Sequence, residues 1–154
     1  MWAKLDQPGA VFYDITWTGY CGEQIPSDMQ RVFEIVRDAR KRASSFVVER
    51  VRKNEEVAGY EVDDVARGYI RDHGYGDYFI HRTGHSIGTD IHGTGANMDN
   101  LESHDDRRII PGTCFSIEPG VYLPHFGVRS EVNVFCGTDS ARVTGEEQEH
   151  LVHI

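Results

Sequence analysis

Apolar side chains recur at Met29, Val32, Phe33, Val36, Ala43, Phe46, Val47 and Val51, with Arg, Lys, Asp and Glu filling the intervals. Steps of three and four residues put those positions on one side of an α-helix, so a long helix is predicted with one packed face and one wet face. Its start is marked by Pro26 and by Ser27 and Gln30, which have the spacing of a capping box. A second, shorter helix is predicted from about Glu61 to His73. Val62, Val65, Tyr69 and Ile70 point inward on it, and Gly74 stands just past its end.

Outside these two stretches the period changes. Residues 10–18 are rich in β-branched and aromatic types and follow the turn-like Asp6-Gln7-Pro8-Gly9, so they read as the return strand of a hairpin whose outgoing strand is residues 1–5. From Tyr78 onward strands dominate. Segments 113–118, 128–136 and 149–153 have strand composition, separated by Pro-Gly, Pro-His-Phe-Gly and Gly-Thr-Asp-Ser turns. The sum is an α+β domain with an antiparallel sheet, free of internal repeats and low-complexity tracts.

Composition narrows the function. With 154 residues, 39% hydrophobic and 27% charged, the chain suits one globular domain with a real core. A formal charge of -9 disfavours nucleic acid and anionic membrane surfaces, which reward clustered Lys and Arg. Cys21, Cys114 and Cys136 are widely spaced with no CxxC pair, which predicts three free thiols in a reducing cytoplasm. No apolar run approaches the ~20 residues that span a bilayer, and the N-terminus lacks the charged-then-apolar pattern of an export signal. A cytoplasmic protein is expected.

The chemistry lies between His81 and Glu131. His-Arg-Thr-Gly-His-Ser-Ile-Gly-Thr-Asp-Ile-His occupies 81–92, Ser-Ile-Glu-Pro-Gly occupies 116–120, and Gly-Val-Arg-Ser-Glu occupies 127–131. Neutral imidazole and carboxylate oxygen are the usual ligands of zinc, manganese, iron and cobalt, so these segments suggest a metal site. Strand alternation puts Arg129, Glu131 and Asn133 on one face and Val128, Val132 and Val134 on the other. By the same parity Glu118 shares a face with Ser116. Two inward carboxylates on neighbouring strands repel unless a cation or a proton lies between them.

Asp14 offers a third carboxylate from the hairpin, although an Asp beside a turn is ordinarily a solvated or capping residue. His81 and His85 have helical spacing, but Gly84 and Gly88 oppose a helix, so the segment is expected to run from strand to loop. His73, His104, His125, His150 and His153 read as structural or surface residues. The mixed-charge run at 102–108 reads as a solvated loop.

Taken together and in order, Asp14-Ile15-Thr16, the 81–92 segment, residues 116–120 and Val128-Arg129-Ser130-Glu131 resemble the pita-bread metallopeptidases: aminopeptidase P, prolidase and methionine aminopeptidase, with the proline-directed branch nearest. The resemblance implies the α+β pita-bread (creatinase/aminopeptidase) fold, an antiparallel sheet with helices packed on its outer face. It implies that Asp14 and Glu131 bridge two divalent ions, Mn, Co or Zn, and that His85 and Glu118 bind one of them. Glu118 would also accept a proton from the attacking water. His81 and His92 would hydrogen-bond the substrate carbonyl or pass protons, and Arg129 would orient the carboxylates. The implied substrate is a short peptide with proline after its first residue.

One departure stands out. In the family a further aspartate on the outgoing hairpin strand completes five protein ligands, whereas residues 1–5 contain no acid and Asp6 belongs to the turn. The expectation is therefore that residues 1–154 form the C-terminal portion of a catalytic domain whose N-terminal half lies upstream, with a single weakened metal site and little or no activity. Uncovered apolar side chains would then favour a homodimer. Two other readings belong to the same fold. A non-catalytic partner-binding protein would not need the clustered Asp, His and two Glu, and a creatinase-like C–N hydrolase works without metal and lacks this carboxylate set.

Overall fold

The computed structural model describes residues 1–154. β1 (Trp2–Ala3) and β2 (Tyr13–Asp14) form the expected hairpin, antiparallel, with Trp2 opposite Asp14 and Ala3 opposite Tyr13. It is shorter than its composition predicts: Ile15 still exchanges hydrogen bonds with Met1, but from Thr16 onward the backbone finds partners elsewhere. Thr16 bridges to Glu131, and Thr18 is held through both its N–H and its carbonyl by the Gln148 side chain, at 2.8 and 2.6 Å. β3 (Gly19–Tyr20) follows.

α1 (Ser27–Arg52) and α2 (Gly59–Asp72) match the two predicted helices. The expected capping box does not form. Pro26 itself occupies the cap position and has no side-chain acceptor; the Gln30 N–H donates to its carbonyl at 3.0 Å, while the Gln30 side chain reaches Glu34 instead. α2 begins two residues earlier than predicted. The Glu61 carboxylate accepts the Ala58 N–H at 2.8 Å, and the helix stops at Gly74, whose φ of 85° suits glycine alone.

The remaining strands are β4 (Ser86–Ile87), β5 (Thr113–Ile117), β6 (Gly120–Leu123), β7 (Phe126–Arg129), β8 (Val132–Cys136), β9 (Ala141–Thr144) and β10 (Val152–His153). The main sheet is antiparallel in the order β4-β5-β8-β9, and β6 and β7 form a separate antiparallel hairpin. Three expectations need correction. The predicted strand 128–136 is two strands, because the Ser130 N–H turns to the Pro119 carbonyl and the Glu131 N–H to that of Thr16. β6 and β9 lie where the composition suggested turns or their flanks. The last strand pairs with β3 in parallel, against the antiparallel expectation, because Gln148 ties the preceding segment to Thr18 and leads the chain out alongside it.

α1 packs across β5 to β9. Val32, Phe33, Val36, Ala39 and Val47 from α1 and Val62, Ala66 and Ile70 from α2 meet Phe115, Ile117, Val132 and Val134 in one buried cluster. Full burial of each of the Val, Ile and Phe side chains contributes about 1.5–3 kcal/mol. Residues of opposite parity, Ser116, Glu118 and Asn133, are therefore committed to the other side of the strands. Cys21, Cys114 and Cys136 are separate free thiols, and no helix is long and apolar enough to cross a membrane. Met1, Trp2, Leu5, Val11 and Trp17 are exposed along the hairpin side of the molecule.

Candidate metal centre

The stretch carrying the histidines is held between two partners. Thr83 and His85 carbonyls accept the N–H groups of Glu118 and Ser116 at 2.7 and 2.9 Å, while Gly84 exchanges two backbone hydrogen bonds with Met98. A Cβ at position 84 would run into the Ser116 carbonyl, which is why glycine precedes His85. The strand-to-loop reading of this segment agrees with that geometry. The Ser116 hydroxyl accepts the His85 N–H at 3.0 Å and lies 3.1 Å from Glu118 Oε1, so a single serine connects the two candidate ligands.

Asp14 arrives from the hairpin by a different device. The Asn133 side chain accepts the Asp14 N–H at 2.9 Å and donates to its carbonyl at 2.5 Å, clamping β2 to β8. Two residues on, the Thr16 hydroxyl donates to Glu131 Oε2 at 2.6 Å. Asp14, His85 and Glu131 thereby each offer one ligand atom, all within 4.8 Å of one another.

Glu118 stands beside this trio. Its Oε1 is 3.4 Å from His85 Nε2, which is also 3.6 Å from Asp14 Oδ2, and its Oε2 is 3.2 Å from Arg129 Nη1. His85 Nδ1 faces the Ser86 carbonyl at 3.1 Å; this assigns its proton there and leaves the Nε2 lone pair toward the acids. The His92 ring packs edge-on against that of His85, with centroids 4.5 Å apart.

His81 sits behind Arg129. Its Nδ1 faces the Arg82 carbonyl at 2.7 Å, and its Nε2 is 2.9 Å from the Tyr122 hydroxyl and 3.3 Å from Arg129 Nη2. Arg129 Nε donates to the same hydroxyl at 2.8 Å. Sequence reasoning reaches Thr16 only as the end of the Asp14-Ile15-Thr16 motif, where its parity with Asp14 was a usable signal. Tyr122 carries no such signal, since it lies on β6, in a different sheet from β5, beyond the break at Glu118 and Pro119. His73, His104, His125, His150 and His153 lie apart from the cluster and are exposed, as expected.

Electrostatically the centre is unresolved. Glu131 is 2% exposed, and its pKa is pushed up to about 7, first by burial and then by the charge of Glu118, against the hydrogen bond from Thr16. Burial also raises Glu118, opposed by Arg129, and lowers His85. Glu131 Oε1 is buried without any hydrogen-bond partner. Such an orphan costs about 1–3 kcal/mol, more for a charged group. A divalent cation removes both the orphan and the repulsion, and carboxylate and imidazole donors suit a hard or borderline ion, so the residues present fit one.

A cavity of about 480 Å³ is lined by Lys41, Glu49, Arg52, Glu147 and Glu149 among others and includes none of these groups. A cavity of about 380 Å³ lined by Met1, Ile15, Thr16 and Trp17 borders the cluster at Thr16.

The family model for metallopeptidase family M24 matches residues 9–138. An Xaa-Pro dipeptidase of Pyrococcus furiosus is 38% identical over 141 residues, a match covering 90% of this chain and 37% of that protein. One from Lactobacillus helveticus is 42% identical over 108 residues, covering 69% and 27%. Among solved structures, a dipeptidase from Pyrococcus horikoshii OT3 aligns over 94% of this chain and 38% of that one, with a TM-score of 0.79 and 32% identity. A methionine aminopeptidase from Rickettsia prowazekii, at 16% identity and a TM-score of 0.68, covering 86% of this chain and 58% of that one, shares the fold. The chain thus spans well under half the length of the Xaa-Pro dipeptidases it matches.

Proposed function

The chain belongs to metallopeptidase family M24 and has its α+β pita-bread fold, and on that premise we propose that it is a metal-dependent peptidase of the Xaa-Pro dipeptidase or aminopeptidase type. Asp14, His85, Glu118 and Glu131 would hold a divalent cation, Mn, Co or Zn. A cation bound there supplies Lewis acidity, polarising a peptide carbonyl and making a water acidic enough to attack near neutral pH.

The protein's own groups do the rest. Glu118, whose Oε1 lies 3.4 Å from His85 Nε2 at the edge of the cluster, is placed to take a proton from water and return it to the departing proline nitrogen. Arg129, on its other oxygen, keeps that carboxylate turned toward His85. His92 contributes hydrogen bonding to the substrate carbonyl. His81, engaged through Tyr122 and Arg129, passes protons and keeps Arg129 in place. The substrate is a short peptide with proline in second position, and the location is the cytoplasm. The exposed apolar hairpin side is the surface on which a homodimer would form, checked by solution mass.

One observation carries this reading: the buried, unpartnered oxygen of Glu131 beside Asp14 and His85. Elemental analysis after equilibration with Mn²⁺ or Co²⁺ is expected to find bound metal that Glu131→Gln fails to retain, and Xaa-Pro dipeptides are the substrates to assay with each ion. Metal held equally well by the Gln variant, or no metal held by either, would refute the assignment.

A further inference from the structure

A second buried acid lies outside the reaction chemistry. Asp63 on α2 is fully buried and forms a bidentate pair with Arg67 one turn later, Arg67 Nε to Oδ2 at 2.7 Å and Nη2 to Oδ1 at 3.0 Å. Both partners then reach past the helix to the same stretch of chain. Arg67 donates to the carbonyls of Phe79 at 2.9 Å and His81 at 2.8 Å, and its guanidinium stacks on the Phe79 ring at 4.2 Å. Asp63 Oδ1 accepts the Thr83 N–H at 2.9 Å, and its Oδ2 accepts that of Asn100 at 3.1 Å.

Residues 79–83 belong to no strand, so these backbone groups have no ladder neighbour. The ion pair serves in its place. Thr83 is gripped from two directions, its N–H by Asp63 and its carbonyl by the N–H of Glu118. His81 is fixed likewise, its carbonyl by Arg67 and its ring by Arg82, Tyr122 and Arg129. An exposed i,i+4 pair would add little to a helix. One taken out of water must be matched by strict geometry and further hydrogen bonds, and here three of the four go to the segment that leads into His85, the fourth coming from the Asn100 N–H.

We propose that the Asp63–Arg67 pair is a positioning unit for the centre, fixing the backbone at 79–83 and hence the placement of His81 and, through Thr83, of Glu118. Its purpose rests on the metallopeptidase reading, but its geometry does not. Removal of partners that orient a metal site from outside commonly lowers metal affinity 10–100-fold.

The test uses Arg67→Lys, which keeps the charge but cannot span both carbonyls while pairing both Asp63 oxygens. Asp63→Asn is the second variant should the first fail to fold, and Arg71→Lys, at an exposed position on the same helix, is the control. Cooperative melting establishes folding before Co²⁺ affinity and the visible spectrum of the Co²⁺ form are measured. Proton–nitrogen NMR of the metal-free protein reports the His81 tautomer. Arg67→Lys is expected to bind Co²⁺ about tenfold more weakly, with a shifted spectrum and with His81 no longer held with its proton on Nδ1; the control stays unchanged. Wild-type affinity, spectrum and tautomer in a folded variant, even one that melts earlier, would reduce the pair to a stabilising contact and overturn the proposal. If the wild type binds no Co²⁺, the metallopeptidase reading fails, and the His81 tautomer still decides this one: unchanged against it, altered for it.

Discussion

Asp63 and Glu131 are both removed from solvent, at 0% and 2% exposure, yet their surroundings are opposite. Each oxygen of Asp63 receives two donors, one from Arg67 and one from a backbone N–H. Glu131 receives one hydroxyl on one oxygen and nothing on the other, and its charged neighbours include Glu118 and Asp14. Burial of a carboxylate is therefore no sign of chemistry in itself. What separates a structural acid from a reserved one is whether the protein has already satisfied it.

That contrast predicts opposite responses to removing each acid. The largest effect belongs to Asp63→Ala, which leaves Arg67 turned inward without its counter-ion. Urea unfolding at pH 7 should show a loss of about 3–5 kcal/mol. A loss below about 1 kcal/mol, typical of an exposed pair, would show that the Asp63 pair is not the satisfied, buried unit described here.

Glu131→Gln in metal-free protein should change stability the other way. The Glu131 pKa rises from 4.5 in the unfolded chain to about 7 in the fold, so the folded state holds its proton more tightly. Folding is then favoured below about pH 4.5, and that advantage is lost as pH rises through 7. At pH 8 the Gln variant is expected to be more stable than wild type by on the order of 2–3 kcal/mol, with the difference vanishing near pH 4. His85 shifts downward, so it opposes folding in acid, and the comparison at pH 8 lies above the range in which it titrates. A destabilised Gln variant at pH 8 would mean that Glu131 is already satisfied in the metal-free fold, and the distinction from Asp63 would collapse.

How far these two acids could be told apart before the structure depends on what periodicity reports. The 3.6-residue pattern over Met29–Val51 and the Val62–Ile70 face was long enough to define both helices, and the Asp6–Gly9 turn announced the hairpin. Alternation put Arg129, Glu131 and Asn133 on one face and Glu118 with Ser116, and in the fold Arg129 meets Glu118 while Asn133 holds Asp14 beside Glu131. It could not reveal the break after Arg129, since Val128, Val132 and Val134 keep one parity across it, and the backbone acceptors that cause it, Pro119 and Thr16, come from elsewhere in the chain. Asp14 looked ordinary because its clamp, Asn133, is 119 residues away. Asp63 and Arg67 have the spacing of a solvated i,i+4 pair, and their backbone partners lie in residues 79–83 and at Asn100, where there is no period to read.

The smallest effect tests the one hydrogen bond that Glu131 does possess. Thr16→Val keeps the shape of the side chain and deletes the hydroxyl that donates to Oε2 at 2.6 Å. That bond favours the charged carboxylate and opposes the upward pKa shift, so its loss should lower metal-free stability by about 1 kcal/mol at pH 8 and by less at pH 5, where Glu131 is protonated. Metal affinity should fall by up to about tenfold for a separate reason, because the hydroxyl that orients the Glu131 carboxylate is gone. In the Glu131→Gln background the substitution should have a smaller effect, because the hydroxyl then meets a neutral amide. An undiminished loss in that background would assign the role of Thr16 to packing beside Trp17 and Ile15. Glu131 would then be without a charge-specific partner on either oxygen, and its difference from Asp63 would be larger than the Thr16 hydrogen bond implies.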